Sequence, residues 1–405
     1  MQAQSCALIK CAQRYQVTRT YADYVRSAMN EQVRPVMLEH APSAKRPKLP
    51  LLSRRYALEI RQQLDWYWQA LIIAAALVLG LGISAAILIA AGVPAGELLN
   101  EFVILTVFDA QSLKAVMFQA SPMILVGLAG CMAFRAKFWN LGLEGQMIWG
   151  AIGATAISLF EVGPPTLRLP LMLAAAIFCG LLWALAPVLL KLRLEVNEII
   201  STLMLNYLAI NFLLHLLYGN WKDPRSAFPY SPQFQPFERL PEVFDGVSAA
   251  VPLAVVVAVL ALWFLGISRA GLYLRFVDAN PRVARAVGVP VQKMIIGTVL
   301  ISGAIAGIAG FLVTAGQEGR LTQSFYQGYG FSGILIAFLA RNNPIAALVV
   351  ALLMAMLFVA GRSLQVFYQI PFSMVQLIQA ILVICVASSD FFIRHRIRRV
   401  QGGES

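Results

Sequence analysis

Residues 294–317 read MIIGTVLISGAIAGIAGFLVTAGQ and contain no charged side chain. An α-helix rises about 1.5 Å per residue, so about 20 apolar residues cross a hydrocarbon core roughly 30 Å thick. This stretch is therefore long enough to span a membrane as one helix. Within it, Gly303 and Gly307 form a GxxxG pattern, which favours close helix packing, with a gating hinge as the alternative.

Similar charge-free runs lie on both sides of this stretch. Of the 405 residues, 59% are hydrophobic and 13% charged, whereas a typical soluble domain is about 25% charged. We therefore predict an all-α, polytopic integral membrane protein with about ten transmembrane helices. The runs occupy residues 66–96, 115–134, 145–160, 169–190, 199–221, 246–268, 294–317, 321–340, 342–361 and 363–389.

Two of these runs are weak candidates for a full span. The run 145–160 is short. The run 321–340 begins with a polar, Gly-containing stretch, and only residues 331–340 are strongly apolar. Non-helical backbone at membrane depth is tolerated only where protein or a water-filled cavity surrounds it. The second run is therefore predicted to be a half-helix or a re-entrant segment.

The positions of Lys and Arg predict the orientation. Cytoplasmic loops carry an excess of these residues. An inside N-terminus places 25 of the 32 Lys and Arg residues inside, in segments 1–65, 135–144, 191–198, 269–293, 341 and 390–405. The outside positions are Lys114, Arg168, Lys222, Arg225, Arg239, Arg320 and Arg362. Both termini are therefore predicted to be cytoplasmic, and the net charge of +12 is not interpreted as nucleic-acid binding.

Three regions are predicted along the chain. Residues 1–65 form a basic, disordered cytoplasmic extension, which is either a regulatory tail, a dispensable extension or an overlong start. Its Cys6 and Cys11 are interpreted as ordinary thiols, because no companion Cys or His ligands accompany them. Residues 66–395 form the transmembrane domain, and residues 396–405 form a cytoplasmic tail.

Two long loops carry further predictions. The outer loop 219–245 is rich in Pro and aromatic residues, which indicates either a cap over the helix ends or a contact with an external binding protein. In the inner loop 269–293, a plausible N-cap, a Pro at the first helical position and a terminal Gly predict a helix of about seven residues. It either docks on a cytoplasmic partner or is an ordinary positive loop. The docking residues are Asp278, Asn280, Pro281, Arg282, Arg285 and Gly288.

No enzyme motif is present in the sequence. The phosphate-binding pattern GxxxxGK[ST] does not occur, nor do HExxH or GxSxG, and the chain has three His residues. We predict no catalytic residues, no metal site and no bound cofactor. If ATP drives transport, a partner must hydrolyse ATP-Mg. An ion-coupled secondary transporter is the competing class, but it should place ionisable residues deep in the helices, which here are almost charge-free.

Several motifs carry a family resemblance. FWNLGLEGQM from Phe138 resembles the signature of ABC importer permeases in the branched-chain amino-acid and sugar superfamily. NEIISTLMLNY from Asn197, GYGFSGI from Gly328 and RNNP from Arg341 resemble its nucleoside and simple-sugar branch. The stretch DANPRVARAVGV from Asp278 is similar to the superfamily's coupling loop. These motifs are distributed along the chain, so the resemblance extends over most of residues 66–395.

The resemblance implies a permease subunit of a bacterial or archaeal plasma-membrane importer. Its expected partners are two cytoplasmic ATPase subunits, a second permease of the same or a related kind and an external solute-binding protein, beside membrane lipid. Nucleosides are the favoured substrates, followed by simple sugars and then branched-chain amino acids. Movement of the ATPases would push the helix from Asn280 to Gly288 and switch access to the pathway.

Polar side chains in the apolar runs are candidates for the substrate pathway, because exposure to lipid is costly for them. Hydrogen bonding between helices is the alternative for each Asn and for Gln317, and Glu144 could instead be a charge favoured at a helix start. The candidates are Asn140, Glu144, Gln146, Asn206, Tyr207, Asn211 and Gln317.

Overall fold

The structure is a computed structural model that describes residues 56–60, 65–96, 108–244, 246–326 and 328–399. Predictions for Cys6, Cys11 and most of the N-terminal extension lie outside these residues. The chain divides into a compact unit, Glu59–Arg396, and a second unit formed by its two ends. Everything described below belongs to the first unit, apart from parts of two terminal strands.

Most of the described chain is helical. The helices are α1 (Trp66–Ala90), α2 (Ala110–Arg135), α3 (Leu143–Leu159), α4 (Pro165–Leu194), α5 (Glu198–Tyr218), α6 (Ala250–Gly266), α7 (Arg269–Ala279), α8 (Pro281–Ala286), α9 (Val291–Phe311), α10 (Tyr329–Leu339), α11 (Pro344–Tyr368) and α12 (Phe372–Arg394). A 3₁₀ turn occupies Pro236–Glu238, and α9 continues as a π-helix over Leu312–Glu318.

Four short strands accompany the helices, so the described chain is not entirely α. Strands β1 (Tyr56–Ile60) and β4 (His395–Arg399) pair in one two-stranded sheet. Strands β2 (Glu242–Phe244) and β3 (Val247–Ser248) form an antiparallel hairpin at the end of the loop 219–245, and β3 occupies the first residues of the run 246–268, so α6 begins only at Ala250. The first pair occupies segments predicted to belong mainly to the disordered extension and the tail.

Ten spanning helices are not confirmed. By length and composition, seven described helices can cross a membrane, and α6 with α7 adds an eighth if that pair, bent by 63°, is one span. Helix α3 has 17 residues and α10 has 11. Both coincide with the runs predicted to be weak, and the polar start of the second run leaves only its apolar end as a helix.

Three predicted loop positions are helical in the structure. Arg362 lies inside α11, although it was assigned to an outer loop between two spans. Lys114 lies in the first turns of α2, and Arg269 begins α7. A long side chain near a helix end can keep its charged head in water while its stem covers apolar surface. A single charge therefore does not mark a helix boundary there.

Glycines bring α9 close to α3 and α4. A methyl group added at Gly307 would collide with the backbone of Ala176 in α4, and one at Gly303 would collide with Ala184. A methyl group at Gly150 of α3 would collide with Gly307 itself. The predicted packing role of the GxxxG pattern is confirmed by these approaches.

The predicted inner turns contact one another. Lys137 forms a 2.8 Å ion pair with Asp278, and Lys191 Nζ donates to the Lys137 carbonyl at 3.3 Å. Arg135 Nε donates to the Asn342 carbonyl at 2.9 Å. Four segments that the charge bias grouped together therefore meet at one end of the bundle. The assignment of that end to the cytoplasm remains a prediction.

The long loop predicted to lie outside is fixed to the helix ends. Glu238 is buried and accepts hydrogen bonds from Arg168 Nη1 at 2.9 Å, Ser158 Oγ at 2.7 Å and the Gln235 backbone N–H at 2.8 Å. The Phe234 N–H donates to the Gly319 carbonyl at 2.8 Å. The loop is thus an ordered cap over the helix ends, as one of the two sequence interpretations proposed.

Candidate functional site

The signature segment forms a buried turn between α2 and α3. The side-chain amides of Asn140 and Gln146 hydrogen-bond reciprocally, each at 3.1 Å, and Asn140 Oδ1 also accepts from the Gly142 backbone N–H. Ser302 of α9 lies 3.5 Å from Asn140 Nδ2 and donates to the Ala129 carbonyl at 2.7 Å. The two amides therefore hold the turn between three helices.

Asn206 connects α5 to the same turn. Its Oδ1 accepts from the Gly145 backbone N–H at 2.8 Å, and its Nδ2 donates to the Leu141 carbonyl at 2.8 Å. Both halves of the amide are therefore used, and the side chain is buried. For Asn206 this geometry matches the interhelical alternative more closely than direct contact with a substrate.

Glu144 lies where the starts of α3 and α10 meet. It is 3% exposed. A methyl group added at Gly330 would collide with the Glu144 backbone and Cβ, so the two helix starts are in direct contact. One carboxyl oxygen, Oε2, has no hydrogen-bond partner among the described residues. Helix N-termini attract negative charge, which explains why a carboxyl group is tolerated at this position.

Tyr207 and Asn211 share a face of α5, as predicted from their spacing, and both are exposed. Asn211 Nδ2 donates to the Tyr207 carbonyl at 2.8 Å, within the same helix. Tyr207 is 61% exposed. These two residues do not join the buried cluster around Glu144, and they occupy a separate surface of the subunit.

Gln317 belongs to a polar triad at the N-terminal end of α10, in which each of three side chains hydrogen-bonds to the other two. Gln119 Nε2 donates to Tyr329 Oη at 2.7 Å, Tyr329 Oη donates to Gln317 Oε1 at 3.1 Å, and Gln317 Nε2 lies 3.4 Å from Gln119 Oε1. Gln317 lies on the π-helix, and such turns occur often at functional sites. The wider turn carries Gln317 towards α2 and α10.

Gln119 was missed in the sequence. It is an uncharged polar residue within the otherwise apolar run 115–134, and that position was the available signal. Its partners lie 198 and 210 residues away in sequence. Their proximity therefore becomes visible only in the folded chain.

The predicted short inner helix is present as α8. Asn280 caps it, with Oδ1 accepting from the backbone N–H of Arg282 at 2.9 Å and of Val283 at 3.4 Å. Pro281 is its first residue, and Gly288 follows its end with φ of 86°. A positive φ favours glycine, since it has no Cβ. The capping prediction is confirmed.

One side of α8 is anchored and another is exposed. Ala284 is buried in a small apolar cluster with Val277, Val289 and Val291. Val283 on α8 and Val287, the C-cap residue that follows it, are four residues apart and are 58% and 64% exposed. Asp278 lies on α7, where it forms an ion pair with Lys137, and its side chain is 40% exposed. Its predicted part in docking stays a prediction.

Seven described helices long and apolar enough to cross a membrane, a buried carboxyl group where the starts of α3 and α10 meet, and a short capped helix with an exposed valine indicate a multi-pass membrane transport subunit. The family described as "Branched-chain amino acid transport system / permease component" matches residues 112–387. This match covers more than half of the chain, so the chain belongs to that family of ABC transporter permeases.

Relatives with named substrates are similar over most of their length. The glucose ABC transporter permease protein TsgB13 of Haloferax volcanii is 33% identical, over 70% of this chain and 78% of its own. The guanosine ABC transporter permease protein NupP of Bacillus subtilis is 33% identical, over 70% and 82%. A solved ABC transporter of metal-chelate type, in an inward-facing conformation, is 17% identical with a TM-score of 0.42, covering 80% of this chain and 98% of that one.

Proposed function

We propose that this permease imports nucleosides or simple sugars across a bacterial or archaeal plasma membrane. Relatives named for guanosine, nucleosides and glucose support this substrate range. The resemblance to the nucleoside branch in the segments from Asn197, Gly328 and Arg341 supports it further. Branched-chain amino acids are the alternative, given the description of the family.

The importer is proposed to contain further subunits. Two cytoplasmic ATPases bind and hydrolyse ATP-Mg, a second permease completes the pathway, and an external solute-binding protein delivers the substrate. Glu144 is the pathway candidate with most support, because one of its carboxyl oxygens has no partner among the described residues. It lies beside the start of the half-helix α10, and buried ionisable groups in membrane proteins usually mark substrate or ion pathways.

The exposed face of α8 carries the proposal for coupling. Val283 and Val287 present an apolar pair to the side predicted to be cytoplasmic, and the exposed Arg282 and Arg285 lie beside them. An apolar helix face fits a hydrophobic groove on a partner. Rigid capping at both ends lets a displacement of α8 be transmitted to α7 and α9, against which Ala284 packs.

Replacing residues 280–288 by a Gly/Ser segment tests this function. We expect the ATPases to retain hydrolysis while uptake of guanosine and glucose is lost, because the flexible segment cannot transmit movement. A point variant, Val283→Asp, should weaken ATPase association. The near-isosteric Val283→Thr serves as its control. Undiminished uptake by the Gly/Ser variant would contradict the coupling role of α8.

A further inference from the structure

A cleft of about 500 Å³ opens beside the polar triad, between α2, the π-helix and α11. Its walls include Gln119 and Gln317, so the triad forms part of its surface. Pockets of this size hold small organic ligands. The segments that line it belong to the end of the bundle predicted to face outwards.

Aromatic rings form much of the apolar wall. Phe118 comes from α2, and Phe358 and Phe367 come from α11. Phe358 is stacked on Tyr329 of the triad, with ring centroids 6.1 Å apart. Planar rings of this kind offer a face on which a base or the apolar side of a sugar can stack.

Two opposite charges line the same cleft. Glu318 follows Gln317 on the π-helix, and Arg362 and Ser363 come from α11. Among the described residues, three ion pairs are formed, and neither Glu318 nor Arg362 takes part in them. The Arg362 guanidinium instead lies over the Phe358 ring, 5.6 Å from its centroid. Both charged groups are therefore available to a ligand.

The two amides of the triad line the cleft and retain hydrogen-bonding capacity. A primary amide has two N–H donors and a carbonyl with two lone pairs. In the triad, Gln119 and Gln317 each donate once and accept once. Each amide retains one N–H and one lone pair, and the closed ring fixes both groups in place. Fixed groups lose less entropy when a ligand binds.

We propose that this cleft binds a purine nucleoside carrying a 6-keto group, such as guanosine. The base would stack on Phe367, which is 69% exposed, because Phe358 is buried and already stacked on Tyr329. Arginine recognises O6 and N7 of guanine bidentately, and a carboxylate accepts from its N1–H and exocyclic amine. The amides of the triad suit the hydroxyl groups of ribose. This proposal rests on the proposed function and specifies its substrate.

An aliphatic amino acid is the main competing ligand. Its ammonium and carboxylate groups could pair with Glu318 and Arg362, but it would leave the two fixed amides and the ring faces without a matching group. The hydroxyl groups of glucose could bond to the amides. Glucose has no pair of adjacent donors or acceptors that matches the Glu318 carboxylate or the Arg362 guanidinium as the guanine edges do. Guanosine therefore uses more of the groups that line the cleft.

The test compares maximal uptake rates of guanosine, adenosine, glucose and leucine by the whole transporter in cells lacking other nucleoside importers. Maximal rates are used because a binding protein sets the half-saturating concentration outside the permease. Glu318→Gln and Arg362→Gln should each lower guanosine uptake about tenfold, the effect of losing one charge-assisted hydrogen bond. Adenosine, which lacks the 6-keto group and N1–H, should be affected less.

Glu161→Gln is the matched control, since Glu161 is exposed in a turn that does not line the cleft. Two further measurements separate a folding defect from a recognition defect. They are the membrane content of each variant and its ATP hydrolysis in the presence of the binding protein. Arg362→Lys is a second variant, which keeps the positive charge but loses the paired N–H donors of the guanidinium. Guanosine uptake by both cleft variants at the control rate would overturn the cleft site, as would leucine uptake that depends on Glu318 and Arg362. Absence of nucleoside and sugar uptake by the unaltered transporter would instead overturn the proposed function.

Discussion

Asn206 illustrates how the buried polar residues of this permease are used. Its amide bonds to the backbone on both sides of the turn that begins α3, and it thereby joins α5 to the signature segment. Two backbone groups of this turn, one of them next to Glu144, bond to this one side chain. A change at Asn206 should therefore affect stability before it affects substrate recognition.

Asn206→Leu is expected to destabilise the folded permease by about 1–2 kcal/mol, because it leaves the Gly145 N–H and the Leu141 carbonyl without their partner. Asn211→Leu is the matched control on the same helix, since Asn211 is exposed and bonds within α5. Thermal unfolding in detergent measures both. Equal melting temperatures for the two variants would contradict the proposed role of Asn206 in stabilising the turn before α3.

Local signals were sufficient for some residues and insufficient for others. The cap at Asn280 and the stop at Gly288 were predicted because each acts within its own short segment. Gln119 and Arg362 were not among the predicted pathway residues, because the cleft that both line is formed by segments distant in sequence. The roles of Asn140, Gln146 and Gln317 in recognition stay predictions, although their hydrogen bonds are now defined.

At the scale of elements, α9 is held by glycines on one side. Its GxxxG pair meets α4, and Gly307 also meets Gly150 of α3. Close approach of this kind excludes any side chain, which makes these positions sensitive to the smallest substitution. The π-helix that follows then directs Gln317 into the triad.

Gly307→Ala should lower the thermal stability and the membrane content of the permease, since the new methyl group collides with the Ala176 carbonyl. Overpacking of this kind costs about 1–3 kcal/mol. Gly297→Ala, in the same helix, has nothing within 4 Å of the new methyl group and should be neutral or stabilising. The same loss of stability in both variants would refute the packing role.

Helix content was more predictable than helix length. Hydrophobic length identified the seven strong spans, and the polar start of the run 321–340 indicated the short helix α10. It misplaced the end of α11, because a charge at Arg362 was interpreted as a loop although the helix continues to Tyr368. The helix α7 was also missed, since its mixture of charged and apolar residues resembles a basic loop.

At the scale of the whole molecule, the turns sort into two groups. The segments containing Lys137, Asp278 and Asn342 are linked at one end. The outer loop, Arg168 and the backbone near Gly319 are linked at the other. This grouping agrees with the distribution of positive charge, and the positive-inside rule then predicts which end is cytoplasmic.

Thiol labelling tests this orientation in a chain whose five native cysteines have been replaced. Val283→Cys on α8 should react with a membrane-impermeant maleimide only after the cells are permeabilised. Phe228→Cys in the outer loop should react in intact cells, since Phe228 is 63% exposed. The reverse pattern of labelling would show that the predicted orientation is inverted.

The central claim is that this chain transports its substrate through coupling to ATPase partners. The most direct measurement is uptake of guanosine and glucose into sealed vesicles that contain the permease with or without its ATPase and binding protein. We predict uptake that requires ATP and the partner subunits and is unchanged when proton and sodium gradients are collapsed. Uptake driven by an ion gradient, without ATP or partner subunits, would contradict the account.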